Sequence, residues 1–204
     1  MSKKLWAGRF SKSTNKVLED FSSSIHFDYK LFESDILGST AYVEALSKAK
    51  IISKKEKNKL LKGLKIILDD YKKGKIKLDS RNEDVHLNIE NILTKKIGSA
   101  AKKIHTGRSR NEQVITDVRI YLKQEILGIL NYLYQLEVNL IGQAKKYLGI
   151  IMPGYTHLQH AQPVLLSHYF LAYCEMFLRD LERLTENYKR TDVLHLGSGA
   201  LSGN

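Results

Sequence analysis

The sequence predicts an all-α fold in which an N-terminal helical domain precedes the first long helices of a central helix bundle. Two observations support this prediction. The 204 residues include only two prolines, Pro153 and Pro163, and the long stretches without proline repeat apolar residues at helical spacing. No strand-like alternation of useful length is found. We place the boundary between the two domains so that they cover residues 1–108 and 109–204.

The first half of the chain predicts two amphipathic helices. Ser53 and Glu56 have the spacing of a capping box and begin the first helix. Its apolar stripe consists of Leu60, Leu64, Ile67, Leu68 and Tyr71. The stripe of the second helix consists of Val85, Ile89, Ile92, Leu93 and Ile97. Ser80 and Asn82 are candidates for the N-cap of the second helix.

Two much longer helices follow. The apolar stripe of the first contains Val114, Val118, Tyr121, Leu122, Ile129, Leu133, Leu136 and Leu140, and that of the second contains Leu166, Phe170, Cys174, Phe177, Leu181, Leu184 and Tyr188. Gly128 and Gly142 weaken the first of these helices without ending it. Helices of this length need long partners, which favours a bundle. The glycine-rich residues 197–204 leave that bundle short of helices, so we expect the chain to be part of a longer fold.

Charge and composition favour a cytoplasmic protein. The formal net charge is +11, but the lysines collect in helix faces such as residues 53–77, which favours a solvated surface over a nucleic-acid site. No apolar run approaches the ~20 residues that span a bilayer, and the basic N-terminus lacks the apolar segment of a secretory signal. Cys174 has no second cysteine to pair with and is interpreted as a small buried apolar residue. We therefore expect no nucleic-acid and no membrane partner.

The polar segment at residues 105–113 opens the longest helix and is suited to binding a small polycarboxylate. The N-terminus of a helix offers free N–H groups and partial positive charge. Gly107 lets a ligand approach the backbone, and Arg108 and Arg110 can bind carboxylates through paired hydrogen bonds. In the alternative interpretation, Ser109 or Asn111 merely caps the helix and the arginines are solvated.

Two further polar segments could carry chemistry. Residues 22–28 form a serine-rich segment, which on its own is typical of a capped loop before the helix that starts near Leu31. Residues 153–163 contain His157, which could act as a general base; in the alternative, the histidines of this segment bond to carbonyl groups at helix ends. His157 and His160 are three residues apart, but nothing nearby completes a zinc site. There is no phosphate loop or dinucleotide fingerprint, so we expect no metal and no cofactor.

Five blocks of the sequence, in this order, resemble those of argininosuccinate lyases, a family of the fumarase/aspartase superfamily. The blocks are LWAGRF at residues 5–10, EDVH at 83–86, KIHTGRSRNEQV at 103–114, PGYTHLQ at 153–159 and LGSGAL at 196–201. The resemblance covers the whole chain. The third and fourth blocks together separate this family from fumarases, aspartases and adenylosuccinate lyases.

The resemblance implies an activity and a set of site residues. The implied reaction is the reversible β-elimination of argininosuccinate to arginine and fumarate, the last step of arginine biosynthesis, without a cofactor. His157 matches the proton acceptor of the family, acting with its neighbour Thr156. The residues that match substrate-binding or cleft-lining positions are Ser24, Asp28, His86, Arg110, Asn111, Thr156 and Gln159. The resemblance also implies a homotetramer whose active sites combine segments from three subunits.

The sequence departs from the family pattern in several places. Ala7 and Glu112 replace a glycine and an aspartate, and His160 and His195 replace an arginine and a proline. The family loop Gly-Ser-Ser-x-Met-Pro-Gln-Lys-Lys-Asn-Pro, with its catalytic serine and substrate-binding lysine, is absent from these residues. We therefore expect residues 1–204 alone to be inactive. The alternatives are a non-catalytic structural relative, another lyase of the superfamily such as adenylosuccinate lyase, and a basic helical nucleic-acid binder.

Overall fold

The computed structural model describes residues 15–201 and 203. The block at residues 5–10 lies outside the described residues, as do Ser202 and Asn204. The elements are α1 (Lys16–Ser22), α2 (Ile25–Asp28), α3 (Phe32–Lys48), α4 (Lys54–Lys72), α5 (Val85–Ile97), α6 (Arg110–Lys146), β1 (Ile151–Thr156), β2 (Gln159–Leu165) and α7 (Leu166–Thr191), with 3-10 turns at Tyr29–Leu31 and Gly98–His105. The predicted all-α class is confirmed, with one small sheet as the exception.

The chain divides into two compact units. The first comprises the described residues of Met1–Asp117 and Leu196–Asn204, and the second is Val118–His195. This division falls inside α6, nine residues after the domain boundary that the sequence predicts, and the predicted boundary itself stays a prediction. None of the described helices is both long enough and apolar enough to cross a membrane.

The core of the first unit is formed by α3, α4 and α5. The predicted capping box at the start of α4 is confirmed, since Ser53 and Glu56 bond reciprocally through side chain and backbone. The α4 stripe is buried at Leu60, Leu64 and Ile67, and the α5 stripe at Val85, Ile89 and Leu93. Gly63 allows these helices to pack closely, because a Cβ atom there would lie 2.7 Å from Leu93 Cδ1.

The predicted N-cap of α5 is wrong. The cap is Asp84, whose Oδ1 accepts a hydrogen bond of 2.6 Å from the Leu87 N–H. Asn82 instead donates its side-chain amide to Asn88 Oδ1 at 2.9 Å, which ties the preceding loop to the helix. Three polar residues in five positions can each cap a helix, and long-range contacts of this loop decide which one does.

The second unit contains most of α6, all of α7 and a β-hairpin. Gly128 and Gly142 do not interrupt α6, as predicted. Cys174 is buried and unpaired, which confirms its interpretation. The hairpin is a correction, because the sequence analysis predicts no strand at residues 153–163 or anywhere else in the chain. Here β1 and β2 pair antiparallel, with Pro153 opposite Pro163 and a register irregularity between Pro153 and Tyr155.

Gly154 makes the close pairing of this hairpin possible. A Cβ atom at Gly154 would lie only 2.8 Å from the Gln162 carbonyl oxygen. Any larger residue would therefore push the strands apart just before the Thr156–His157 segment. The glycine at this position has a steric role that its place in a polar segment did not reveal.

Candidate functional site

The N-terminus of α6 is capped by Ser109 and Glu112. Ser109 Oγ accepts a hydrogen bond of 3.3 Å from the Asn111 N–H, and Glu112 Oε1 accepts one of 2.8 Å from the Ser109 N–H. Since these two residues satisfy the helix end, the side chain of Asn111 is not needed as a cap, and Asn111 is exposed. Of the two caps in the alternative interpretation, Ser109 is therefore the one that caps the helix, and the side chain of Asn111 remains available to a ligand.

Glu112 also holds the glycine-rich turn of the last sequence block. Its Oε2 accepts hydrogen bonds from the Gly197 N–H at 2.8 Å and the Gly199 N–H at 2.7 Å. Burial alone would raise the pKa of the Glu112 carboxyl, but the backbone donors of Ser109, Gly199 and Gly197 outweigh it and hold that pKa below its ordinary value. The turn is thereby fixed beside the N-terminus of α6, a role that the sequence analysis missed.

The two arginines of the segment are engaged rather than solvated. Arg110 donates from Nη2 to Glu90 Oε1 at 2.9 Å and from Nη1 to Gln113 Oε1 at 2.7 Å, and its Nε lies 3.4 Å from Asp84 Oδ2. Arg108 is 7% exposed and donates to Ser39 Oγ at 3.2 Å. Only Arg110, with 27% of its side chain exposed, retains access to solvent. Arg110 is therefore the better candidate to meet a carboxylate.

Ser24 and Asp28 are bonded to each other and to the start of α5. The Ser24 hydroxyl donates to Asp28 Oδ2 at 2.6 Å, and the Ser24 N–H donates to the Glu83 carbonyl at 2.8 Å. Asp28 is 6% exposed and accepts from the Val85 N–H at 3.2 Å. The segment at residues 22–28 is thus attached to the EDVH block. The Asp28 carboxylate already accepts a hydrogen bond from the start of α5, whether or not it also contacts a ligand.

His86 lies in a fully buried polar cluster that sequence reasoning did not find. Its Nδ1 is 2.7 Å from Asp35 Oδ2 and 3.5 Å from Asp117 Oδ2, and all three side chains are at most 3% exposed. Asp35 Oδ1 accepts from the Ser39 hydroxyl at 2.6 Å. A buried site of this kind was detectable in principle, because Asp35 and Ser39 are polar and lie one helical turn apart on the apolar face of α3.

The two carboxyl groups of this cluster have opposite protonation preferences. Burial raises the pKa of Asp35, but hydrogen bonds from His86 and Ser39 and the charges of His86 and Arg108 outweigh it and lower that pKa. For Asp117, burial and the neighbouring Asp35 charge raise the pKa to about 9. At neutral pH, Asp35 is therefore the ionised member and Asp117 holds a proton.

The cluster offers three possible metal-ligand atoms, but its contacts favour a hydrogen-bonded arrangement over a bound metal ion. The atoms of Asp35, His86 and Asp117 lie within 4.8 Å of one another. His86 Nδ1 already donates to Asp35, and the Arg108 charge acts on both carboxyl groups. A histidine that binds a metal normally donates its second ring N–H to a partner, whereas His86 Nε2 is buried without a hydrogen-bond partner among the described residues.

Thr156, His157 and Gln159 lie at the tip of the β-hairpin. Thr156 and Gln159 are the last paired residues, so His157 and Leu158 form a two-residue loop. These two residues have φ values of 50° and 62°, as a type I′ turn requires. Non-glycine residues adopt this conformation at a cost, and such strained positions cluster at functional sites. His157 is exposed, so its ring is open to a ligand or to another chain.

The site residues fall into two groups. Ser24, Asp28, His86, Arg110 and Asn111 belong to the first unit, where direct contacts link Ser24 with Asp28. Thr156, His157 and Gln159 belong to the second unit.

A lyase family model matches residues 8–204. The chain belongs to the lyase family. It is 50% identical over 200 residues to an argininosuccinate lyase of Desulforamulus reducens, a match that covers 98% of this chain and 44% of the relative. It is 52% identical over 201 residues to an argininosuccinate lyase of Sulfurihydrogenibium sp., with 98% and 44% covered. The lyase chain therefore spans less than half the length of these relatives.

The fold of this lyase chain is similar to that of solved structures. An EDDS lyase variant with bound fumarate superposes with a TM-score of 0.76 at 28% identity, covering 91% of this chain and 36% of the other.

His160 occupies the position where the resemblance leads us to expect an arginine. Its Nε2 forms a hydrogen bond of 2.9 Å with the Tyr155 hydroxyl. His160 thus makes a contact across the hairpin.

Proposed function

We propose that these residues are part of an argininosuccinate lyase, which cleaves argininosuccinate to arginine and fumarate. The observation that carries the proposal is the identity of about 50% to argininosuccinate lyases over nearly the whole chain. The site contacts support it, since the exposed Asn111 and the partly exposed Arg110 are suited to a carboxylate and an exposed histidine occupies a strained hairpin tip.

The mechanism would be a β-elimination with His157 as the base. His157 removes a proton from the carbon next to a carboxylate of the succinyl group, and the charge of the carbanion spreads onto that carboxylate. Hydrogen-bond donors aimed at this developing charge lower the barrier. The role we assign to Arg110 and Asn111 is to bind a carboxylate of the substrate. The C–N bond to the guanidinium then breaks, an acid protonates the departing arginine, and fumarate remains.

We also propose that the protein is a cytoplasmic homotetramer with active sites shared between subunits. The second unit exposes many large apolar side chains along its two long helices, which favours burial against other helices. These side chains are Leu122, Leu127, Ile129, Tyr132, Tyr134, Leu136, Val138, Ile141, Tyr169, Leu171, Tyr173, Met176 and Leu178. Size-exclusion chromatography with light scattering measures the oligomeric state.

The proposed function is tested by following fumarate release through its ultraviolet absorbance. The assay uses a chain in which residues 1–204 are extended to the length of the relatives. We expect this chain to release fumarate from argininosuccinate and not from adenylosuccinate. Turnover of adenylosuccinate would favour the other superfamily lyase, and no turnover of either would favour a structural relative. We expect residues 1–204 alone to release no fumarate.

Asn111→Ala is expected to weaken argininosuccinate affinity without lowering the melting temperature. The Asn111 side chain is exposed, and the helix end is capped by Ser109 and Glu112, so its loss removes a donor to substrate worth about 1.5–3 kcal/mol when the acceptor is charged. Calorimetric affinity and thermal unfolding are measured together. Ser109→Ala is the matched control, since it should lower the melting temperature by removing the cap. Unchanged affinity for Asn111→Ala would contradict its assigned role.

A further inference from the structure

The Gln113 side chain is a buried bridge between two parts of the first unit. Gln113 is 2% exposed. Its Nε2 donates to Asp35 Oδ2 at 3.1 Å, and its Oε1 accepts from Arg110 Nη1 at 2.7 Å. Because the two ends of the amide have different partners of the matching kind, a rotation by half a turn would replace both hydrogen bonds by repulsive contacts. The orientation of the amide is therefore fixed.

The inner end of this bridge rests on a rigid acceptor. Asp35 Oδ2 also accepts from His86 Nδ1 at 2.7 Å, and Asp35 Oδ1 accepts from the Ser39 hydroxyl at 2.6 Å. Asp35 is thus held by three donors in addition to its burial at 1% exposure. A carboxylate with this many partners cannot move without leaving buried donors unsatisfied.

The outer end of the bridge is the guanidinium of Arg110. Gln113 takes one N–H of Nη1, and Glu90 takes one N–H of Nη2 at 2.9 Å. Each of these two nitrogens carries a second N–H, and 27% of the Arg110 side chain is exposed. Because two acceptors fix the plane of the guanidinium, its remaining N–H groups have a defined direction before any ligand arrives.

We propose that Gln113 is a positioning residue for substrate binding, which links the buried Asp35–His86 pair to Arg110 and so sets the guanidinium for a substrate carboxylate. This inference rests on the proposed function, in which Arg110 binds a carboxylate. An arginine whose plane is fixed in advance loses less conformational entropy on binding, so the contribution falls on substrate affinity. Gln113 itself touches no reacting atom.

A pH profile separates this role from a merely structural one. In Gln113→Glu, the introduced carboxyl retains an oxygen that can accept from Arg110, but it faces the Asp35 carboxylate where the amide donated. When protonated, it can donate to Asp35 and accept from Arg110 as the amide does. When ionised, it repels Asp35, and burial beside that charge raises its pKa by as much as ~3–5 units.

The groups that surround Gln113 set the background of this profile. The charged and titratable groups that face it are Asp35 from α3, His86 and Glu90 from α5, and Arg108, Arg110 and Asp117 from its own helix or the residues just before it. All of them are present in parent and variant. The ratio of the KM values of variant and parent at each pH therefore cancels every titration that is the same in both proteins, and what remains comes from the introduced carboxyl and the groups whose pKa it shifts.

The experiment measures KM and kcat for argininosuccinate between about pH 6 and pH 9. It uses a chain in which residues 1–204 are extended to the length of the relatives. For Gln113→Glu, we expect the KM ratio to approach one at the acid end and to rise at least tenfold toward the alkaline end, with kcat changed much less. Gln113→Leu should raise KM by about tenfold at every pH. Gln124→Glu, on an exposed part of α6, is the matched control and should leave KM unchanged throughout.

Two results would overturn the inference. One is a KM ratio for Gln113→Glu that stays within twofold of one over the whole range, and the other is a rise that does not depend on pH. If Gln113→Leu fails to fold, the KM ratios of Gln113→Glu at the acid and alkaline ends of the range still test the positioning role. If the parent itself shows no turnover, the proposed function fails, and the same variants are compared by calorimetric titration with fumarate, where the same pH-dependent loss of affinity is expected.

Discussion

His157→Asn is expected to lower the turnover of argininosuccinate by ~10²–10⁴, the range typical of a lost acid–base group. Asparagine suits this test because the backbone at His157 has a φ of 50°, a left-handed conformation that asparagine adopts more readily than most residues. The hairpin should therefore keep its turn while the base is removed. Steady-state turnover and thermal unfolding are measured on the same preparation.

The matched control for this substitution is His168→Asn, which changes an exposed histidine of α7. It should leave turnover within a few-fold of the parent, because nothing places His168 at the hairpin tip. If His157→Asn also stays within a few-fold of the parent while folding normally, His157 is not the base. A loss of turnover accompanied by a large fall in melting temperature would show that the residue supports the hairpin instead.

The helices could be predicted because their signals are local. Each apolar stripe repeats within its own helix, and the capping box of Ser53 and Glu56 lies within four residues. The hairpin at residues 151–165 could not, because each of its strands contains a proline. Its turn, His157-Leu158, also lacks the Asn-Gly or Asp-Gly pair that signals a two-residue turn. A turn with unfavourable residues, such as this one at the proposed base, is where sequence rules are expected to fail.

The site could be predicted where its residues are adjacent and not where distant segments meet. Arg110 and Asn111 could be proposed from the sequence because they occupy one polar segment. The partners that fix Arg110 are Glu90, which is 20 residues away, and Gln113, which connects to Asp35 over 78 residues. No local pattern encodes such contacts. The traces of the buried cluster in the sequence are His86 in the EDVH block and the polar Asp35 and Ser39 on the apolar face of α3.

Asp117 is expected to make the protein less stable as the pH rises, and Asp117→Asn should remove this dependence. Burial and the Asp35 charge raise the pKa of Asp117 to about 9, whereas in the unfolded chain it is about 3.9. Between these values the folded state keeps a proton that the unfolded state has released. The free energy of unfolding therefore falls by up to about 1.4 kcal/mol for each pH unit through this range, and the loss is absent below about pH 4.

The asparagine variant should accordingly be more stable than the parent at pH 8, with the difference shrinking as the pH is lowered toward 4. Asparagine has the size of the protonated carboxyl but no proton to lose, so the buried site stays neutral at every pH. Melting temperature or chemical denaturation is measured across this range, with Asp69→Asn on the exposed side of α4 as the control that should follow the parent. Asp35 acts in the opposite sense: its lowered pKa gives a stabilisation that is present above about pH 4 and lost in stronger acid. A parent and an Asp117→Asn variant with parallel profiles between pH 4 and 9 would show that Asp117 is ionised in the folded protein and that the proton assignment in the buried cluster is wrong.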